Sequence, residues 1–169
     1  TLMNYAAAIL AVRSLGCTRL EIQAGLRAFR PLPHRIEFVA EVNGVSFYND
    51  SKATNTGAVI GALAQFTKNV ILIAGGRDKG DDFRLLRESV ASKVKQLIVI
   101  GEAADLLEKA LIDVVDIIAV DTMEAAVRTA ARSSAAGDVV LLSPACASFD
   151  MFTSYGHRGN EFKKAVLAL

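Results

Sequence analysis

The chain has 169 residues, 52% of them hydrophobic, and its formal net charge at pH 7 is +1. This length and apolar content suit one compact domain with a sizeable core and a small additional segment. The balanced charge, without a long block of basic residues, argues against nucleic acid or an anionic membrane as the main partner.

The cysteines and the apolar runs limit the remaining classes of protein. Cys17 and Cys146 are far apart and match no metal-binding spacing, so we predict no metal site and a reducing, cytoplasmic compartment. No apolar run reaches the roughly 18 residues that a membrane-spanning helix needs, so no membrane partner is expected. The chain opens at Thr1 directly into a helical pattern, and we expect it to be part of a longer protein.

The first predicted elements are two helices. Apolar residues recur at helical spacing over residues 3–15, and a second amphipathic helix is predicted over 19–29, after the capping residue Thr18. Pro31 and Pro33 then indicate a linker. We therefore place a domain boundary there, which divides the chain into residues 1–31 and 32–169.

A β-hairpin and a repeated strand–helix pattern follow the linker. Asn43-Gly44 joins strands predicted at 36–42 and 45–48, and Asn-Gly is a strong hairpin signal. The later strands are predicted at 70–74, 96–100, 117–120 and 139–142, and the later helices at 56–66, 83–92, 103–111, 123–133 and 160–167. Continuous β-branched runs alternating with helices predict an α/β fold: a Rossmann-like, doubly wound, mostly parallel sheet with an N-terminal β-hairpin.

Polar loops follow three of the predicted strands. Their sequences are Tyr48-Asn49-Asp50-Ser51-Lys52-Ala53-Thr54-Asn55, Gly75-Gly76-Arg77-Asp78-Lys79-Gly80 and Ser143-Pro144-Ala145-Cys146-Ala147-Ser148-Phe149-Asp150. In open α/β sheets, ligands bind in the crevice outside the carboxyl ends of the strands. Three such loops at one sheet edge predict a ligand site.

These loops, in this order and spacing, carry a resemblance to a known family. The other residues that contribute are Leu32-Pro33-His34-Arg35-Ile36-Glu37, Phe152, Tyr155, Arg158-Gly159, Phe162, and Asn4 with Ala7-Ala8. Together they resemble the C-terminal part of the Mur ligases, and within that family the members that add D-glutamate. The resemblance covers nearly the whole chain and identifies residues 1–31 as a helical remnant of the family's central ATPase domain.

The resemblance implies an ATP-dependent ligase of peptidoglycan synthesis. ATP would phosphorylate the carboxylate of UDP-N-acetylmuramoyl-L-alanine, and the amine of D-glutamate would attack the acyl phosphate to form an amide. Mg²⁺ would be held mainly by the central domain. This chain has no Gly-x-x-x-x-Gly-Lys-[Ser/Thr] phosphate loop, so we expect it to be inactive alone. A monomer is expected.

The resemblance also implies roles for nucleotide-binding and catalytic residues. It places Asn4 on the adenine, Arg35 on the phosphates and Asp50 on the ribose hydroxyls of ATP. Lys52 would neutralise phosphate or acyl-phosphate charge, and Arg158 would contribute to catalysis or bridge the final helix to the adjacent loop.

A second set is implied for the amino acid. The resemblance places D-glutamate on Thr54, Lys79 and Ser148, with Phe149 and Tyr155 as walls. A dicarboxylate needs a cation and several neutral donors, which this set contains. Arg77, in the same loop as Lys79, is an alternative cation.

Three further side chains are interpreted without a catalytic role. His34 and His157 have no carboxylate or serine partner at triad-like spacing, so we expect both to support the site or to be exposed. Cys146 is interpreted as a small buried residue, since activation by ATP needs no enzyme nucleophile.

Two alternatives stay open on the sequence. A sister Mur ligase, or a folylpolyglutamate-synthetase-like ligase, would take a different amino acid, although no Asp-Asn-Pro-Arg motif of the diaminopimelate-adding type is present. A stand-alone Rossmann-like binding module would need its own nucleotide fingerprint, and the sequence has no Gly-x-Gly-x-x-Gly.

Overall fold

A computed structural model describes residues 2–29, 32–67 and 69–169. The chain divides into two compact units, Thr1–Leu32 and Pro33–Leu169. The predicted linker residue Pro31 lies outside the described residues. In the first unit, α1 spans Leu2–Ser14 and α2 spans Arg19–Ala28.

The start of α2 follows the predicted capping pattern. The Thr18 hydroxyl accepts a hydrogen bond from the Glu21 N–H, and the Glu21 carboxylate accepts one from the Thr18 N–H at 2.8 Å. This capping box satisfies two donors at the first turn, which otherwise have no partner within the helix.

The second unit contains a six-stranded sheet and five α-helices among the described residues. The strands are β1 (Glu37–Val42), β2 (Val45–Asn49), β3 (Val70–Gly75), β4 (Val94–Ile100), β5 (Ile117–Ala119) and β6 (Val139–Leu142). The helices are α3 (Thr56–Leu63), α4 (Arg87–Lys93), α5 (Ala104–Leu111), α6 (Met123–Ser133) and α7 (Tyr155–Leu167), with a 3₁₀ turn at Phe83–Leu86 before α4.

The strand order is β1-β2-β6-β3-β4-β5. The hairpin strands β1 and β2 are antiparallel, and every other neighbouring pair is parallel. The fold class predicted from the sequence is confirmed. Since β2, β6 and β3 are adjacent and parallel, their carboxyl ends lie side by side at one edge.

The core has two layers, one on each face of the sheet. Leu72 and Leu97 face a layer that includes Leu63 of α3 and Leu107 of α5. Alternate strand residues such as Ile71 and Ile98 face a second layer, which includes Val127 of α6 and Phe162 of α7. All six residues of β3 are buried, as its continuous apolar run predicts.

The main departure from the predicted elements is the start of α7. The sequence predicts a helix from Asn160, whereas α7 begins five residues earlier, at Tyr155. The Ser154 hydroxyl caps it by accepting a hydrogen bond from the His157 N–H at 3.0 Å. Gly156 and Gly159 hide the helical pattern of this first turn, because glycine weakens helix propensity. The earlier start places Arg158 inside the helix.

Candidate functional site

The polar loops after β2, β3 and β6 meet at the carboxyl edge of the sheet. A single side chain, Arg158 of α7, contacts all three. It is completely buried. The site is therefore built around a buried guanidinium that the surrounding loops enclose.

Arg158 uses all five of its N–H donors on its neighbours. Nε donates to the Ser51 hydroxyl at 3.0 Å, and one terminal nitrogen donates to the carbonyls of Ser51 at 2.9 Å and Cys146 at 3.0 Å. The other donates to the carbonyls of Ala147 at 3.2 Å and Gly75 at 3.4 Å. Burial lowers the pKa of Arg158 to about 10, so it stays charged near neutrality. This geometry corresponds to the bridging role named for Arg158, and no N–H remains for a substrate.

Asp50 joins the β2 loop to two other segments. Its carboxylate accepts a hydrogen bond from the Ser143 hydroxyl at 2.9 Å and from the Ile36 N–H at 3.2 Å. Burial raises the pKa of Asp50 to about 6, against the opposing effect of these two hydrogen bonds and the nearby Arg35 charge. Asp50 therefore holds the segment before β1. With a pKa of about 6, its carboxylate loses or gains its charge close to neutral pH.

A partly buried polar network lies next to Asp50, and its central residue, Asn49, was not predicted from the sequence. The Asn49 amide nitrogen lies 2.9 Å from His34 Nδ1 and donates to Glu37 at 3.2 Å and to the Gly159 carbonyl at 3.3 Å. Asn49 is completely buried. Burial, followed by the Lys163 charge, lowers the pKa of His34, so its ring is neutral at pH 7.

Gly159 is required by this network. A Cβ there would overlap His34 Nδ1 and lie 3.0 Å from the Asn49 side chain. The hint of the network in the sequence is the polar Asn49 at the carboxyl end of a predicted strand.

The glycine pair at the end of β3 allows close packing of the loops. Gly75 and Gly76 have φ values of 124° and 131°, which L side chains rarely adopt. A Cβ on Gly76 would overlap the Ala147 carbonyl. The next residue, Arg77, exchanges two backbone hydrogen bonds with Ala147, at 2.9 and 3.0 Å. The β3 and β6 loops are therefore fixed against each other through their backbones.

The three side chains predicted to hold D-glutamate lie on these three loops. Thr54 follows β2, Lys79 follows β3 and Ser148 follows β6. Within the described part of the chain, none of the three side chains has a hydrogen-bond or ion-pair partner, although Ser148 is 98% buried. The alternative cation Arg77 is paired with Glu102 through two hydrogen bonds, at 2.9 and 3.0 Å. Lys79 is thus the uncommitted cation of its loop.

The predicted aromatic walls differ in environment. Tyr155 is at the border of the site: its ring lies 5.1 Å from Lys52 Nζ and makes an edge contact with His34. Phe149 is 64% exposed, so here it forms no buried wall. Lys52 is held over an aromatic face, a favourable cation–π arrangement.

The remaining predicted residues are placed as follows. Arg35 is exposed, one residue before Ile36, whose N–H binds Asp50. Asn4 is an exposed residue of α1 in the first unit. His157 is exposed and Cys146 is buried, as expected, and burial raises the pKa of the Cys146 thiol to about 12.

Two further features of the described residues concern possible partners. Among the described residues, no group of three or more His, Cys, Asp or Glu is arranged to hold a metal ion. No helix in the same part of the chain has the length and apolar character needed to cross a membrane.

Comparison with known proteins identifies the family. The family model described as "Mur ligase, glutamate ligase domain" matches residues 34–146. The chain belongs to the Mur ligase family. The resemblance inferred from the loops is therefore confirmed, and the matched range includes the β2 and β3 loops and the start of the β6 loop.

Curated relatives of the Mur ligase family match nearly the entire chain. The UDP-N-acetylmuramoylalanine–D-glutamate ligase of Desulfotalea psychrophila is 56% identical over 167 residues, covering 99% of this chain and 36% of that protein. The ligase of the same name from Bdellovibrio bacteriovorus is 52% identical over 163 residues, covering 96% of this chain and 35% of that protein. The chain thus spans about a third of the length of these relatives.

Solved structures share the Mur ligase fold. The UDP-N-acetylmuramate-alanine ligase MurC of Thermotoga maritima aligns with a TM-score of 0.72 at 12% identity, covering 99% of this chain and 37% of that one. Escherichia coli FolC in complex with ADP aligns with a TM-score of 0.70 at 22% identity, covering 98% of this chain and 39% of that one. At these identities the likeness concerns the fold alone.

Proposed function

We propose that this chain is the amino-acid-binding C-terminal part of an ATP-dependent ligase that adds D-glutamate to UDP-N-acetylmuramoyl-L-alanine in peptidoglycan synthesis. The observation that carries the proposal is the contrast within the site. Asn49, Ser51, Ser143 and Arg158 are satisfied by hydrogen bonds within the protein. Thr54, Lys79 and Ser148 are not, among the described residues.

Ser148 is nearly buried as a residue, but its hydroxyl is not among the buried side-chain atoms without a partner in the described part of the chain, so it is accessible to a ligand. Lys79 supplies a cation without a carboxylate partner among the described residues. A D-glutamate with two carboxylates matches one ammonium and two hydroxyl donors. The names of the relatives, which match 96% to 99% of this chain, support the same amino acid.

The proposed reaction has two steps. The terminal phosphoryl group of ATP is transferred to the alanine carboxylate, so that one P–O bond to ADP breaks and another forms on the carboxylate. The D-glutamate amine then attacks the acyl carbon, loses a proton and expels phosphate. The chain's residues bind and orient: Thr54, Lys79 and Ser148 hold the glutamate carboxylates so that its amine faces the acyl phosphate.

ATP contacts are proposed for Arg35, Asp50 and Asn4, with Lys52 near the transferred phosphoryl group. Each Asp50 oxygen accepts one hydrogen bond within the protein, which leaves lone pairs for ribose hydroxyls. We propose that Mg²⁺ is held mainly by the central domain; among the described residues of this chain, no group of three or more His, Cys, Asp or Glu is arranged to hold it. We further propose that α1 and α2 are the helical end of the central ATPase domain, that the whole protein is a cytoplasmic monomer, and that this chain alone is inactive.

The proposal is tested by ligation with the protein that carries this chain. With UDP-N-acetylmuramoyl-L-alanine and ATP, we expect product and ADP with D-glutamate and none with L-glutamate, diaminopimelate or glycine. Ligation of another amino acid would instead support a sister ligase. Binding without turnover in the complete protein would support the stand-alone binding module.

Lys79→Ala examines the site itself. It should raise KM for D-glutamate about tenfold or more, while KM for ATP changes little, because a charge-assisted contact to one carboxylate is lost. Lys109→Ala, on the surface of α5, is the matched control. An unchanged KM for D-glutamate in Lys79→Ala would remove Lys79 from the amino-acid site.

A further inference from the structure

Arg77 and Glu102 form an ion pair at the border of the proposed amino-acid site. Arg77 lies in the β3 loop, two residues before Lys79, and Glu102 follows β4. The guanidinium donates two parallel hydrogen bonds to the carboxylate, at 2.9 and 3.0 Å. Both side chains are about half exposed, and exposed pairs contribute little to folding stability. A contribution to folding stability therefore does not explain why Arg77 and Glu102 are paired.

The backbones on both sides of the pair are fixed to the site. Arg77 is bonded to Ala147 in the β6 loop, one residue before Ser148. The Glu102 N–H donates to Asp150 at 3.0 Å, two residues after Ser148. The guanidinium is consequently held beside the two loops that carry Lys79 and Ser148.

The positive charge of the β3 loop can attract more than one anion. In the proposed reaction, phosphate competes with the D-glutamate carboxylates. A free guanidinium binds phosphate through two parallel hydrogen bonds, better than an ammonium does. Asp78, between the two cations, accepts hydrogen bonds from the Gly80 and Asp81 N–H groups and shapes the turn. Glu102 is thus the carboxylate that directly occupies Arg77.

On the basis of the proposed function, we propose that Glu102 is an anion-selectivity residue of the amino-acid site. By occupying the Arg77 guanidinium, it leaves Lys79 as the cation that meets the D-glutamate carboxylate and prevents inorganic phosphate from binding at the β3 loop. The pairing lowers the pKa of Glu102, so its carboxylate remains charged through the neutral range.

The test is calorimetric titration of inorganic phosphate into the protein that carries this chain, at low ionic strength. Glu102→Gln preserves size and removes the charge, and it should tighten phosphate binding by about fivefold, because the guanidinium is released. The double variant Arg77→Gln/Glu102→Gln should return to the wild-type affinity. Unfolding in urea should be nearly unchanged in both.

Asp113→Asn is the matched control. It breaks another two-bond pair, with Arg87, at 2.6 and 2.7 Å, in the segment that leads into β5. Equal phosphate affinity in Glu102→Gln and wild type would overturn the proposal, as would equal tightening in Asp113→Asn or no reversal in the double variant. Ligation by the wild-type protein tests the proposed function separately, since the phosphate titration requires no turnover.

Discussion

Replacing Arg158 with lysine tests whether the buried guanidinium holds the site together. A lysine ammonium has three donors on one nitrogen, whereas Arg158 satisfies five acceptors on three loops. At least two of these charge-assisted hydrogen bonds are lost, and each contributes about 1–3 kcal/mol. We expect Arg158→Lys to lower the free energy of unfolding by about 2–6 kcal/mol, a large part of the usual 5–15 kcal/mol.

The assay is equilibrium unfolding in urea, followed by circular dichroism. At about 2–4 °C per kcal/mol for a chain of this size, Tm should fall by roughly 10 °C. Arg128→Lys, on the exposed face of α6, is the control and should change stability by less than about 0.5 kcal/mol. If Arg158→Lys unfolds at the same urea concentration as the wild type, the bridging interpretation is wrong and the predicted catalytic role becomes the better explanation.

Three further predictions follow from burial and space in the same region. Gly159→Ala should cost about 1–3 kcal/mol because its Cβ overlaps neighbouring side chains, whereas Gly61→Ala, on an open part of α3, should gain about 0.5–1 kcal/mol. Urea unfolding measures both free energies of unfolding. A Gly159→Ala variant more stable than Gly61→Ala would contradict the packing seen around Gly159. Because the pKa of Asp50 is raised from 3.8 to about 6, its stabilising contribution is complete below about pH 4 and lost as pH rises through 6. Asp50→Asn should remove that pH dependence, and parallel stability curves for variant and wild type between pH 4 and 7 would contradict it. Cys146→Ala should leave ligation within about twofold, because a thiol with a pKa of about 12 is protonated at neutral pH; loss of activity in a folded variant would point to covalent chemistry.

The fold was predictable because its signals are local. The apolar runs of β3 and β6, the Asn43-Gly44 turn and the capping box at Thr18 each depend on neighbouring residues. The start of α7 was predicted wrongly for the same reason: Gly156 and Gly159 weaken the local pattern, and contacts with distant loops decide the helix.

The arrangement at the sheet edge was predictable only in part. The loop sequences carry the family resemblance, and that resemblance implied Thr54, Lys79 and Ser148 as candidates for the amino-acid site. They did not distinguish Lys79 from Arg77, since the residue that occupies Arg77 is Glu102, 25 positions away. They also did not indicate Asn49 as the centre of a network with His34, Glu37 and Gly159.

The sequence by itself determined the α/β class, the six strands, the polar sheet edge and the family. It could do so because alternating apolar segments and short loop motifs are properties of neighbouring residues. Only the tertiary structure decided which charged side chains are paired within the protein and which remain available to a ligand. Arg158 and Ser51 are 107 positions apart, yet they share a hydrogen bond in the interior. Such pairings depend on how distant loops meet in space. In the interior, the low dielectric strengthens each hydrogen bond and makes an unpaired polar group costly.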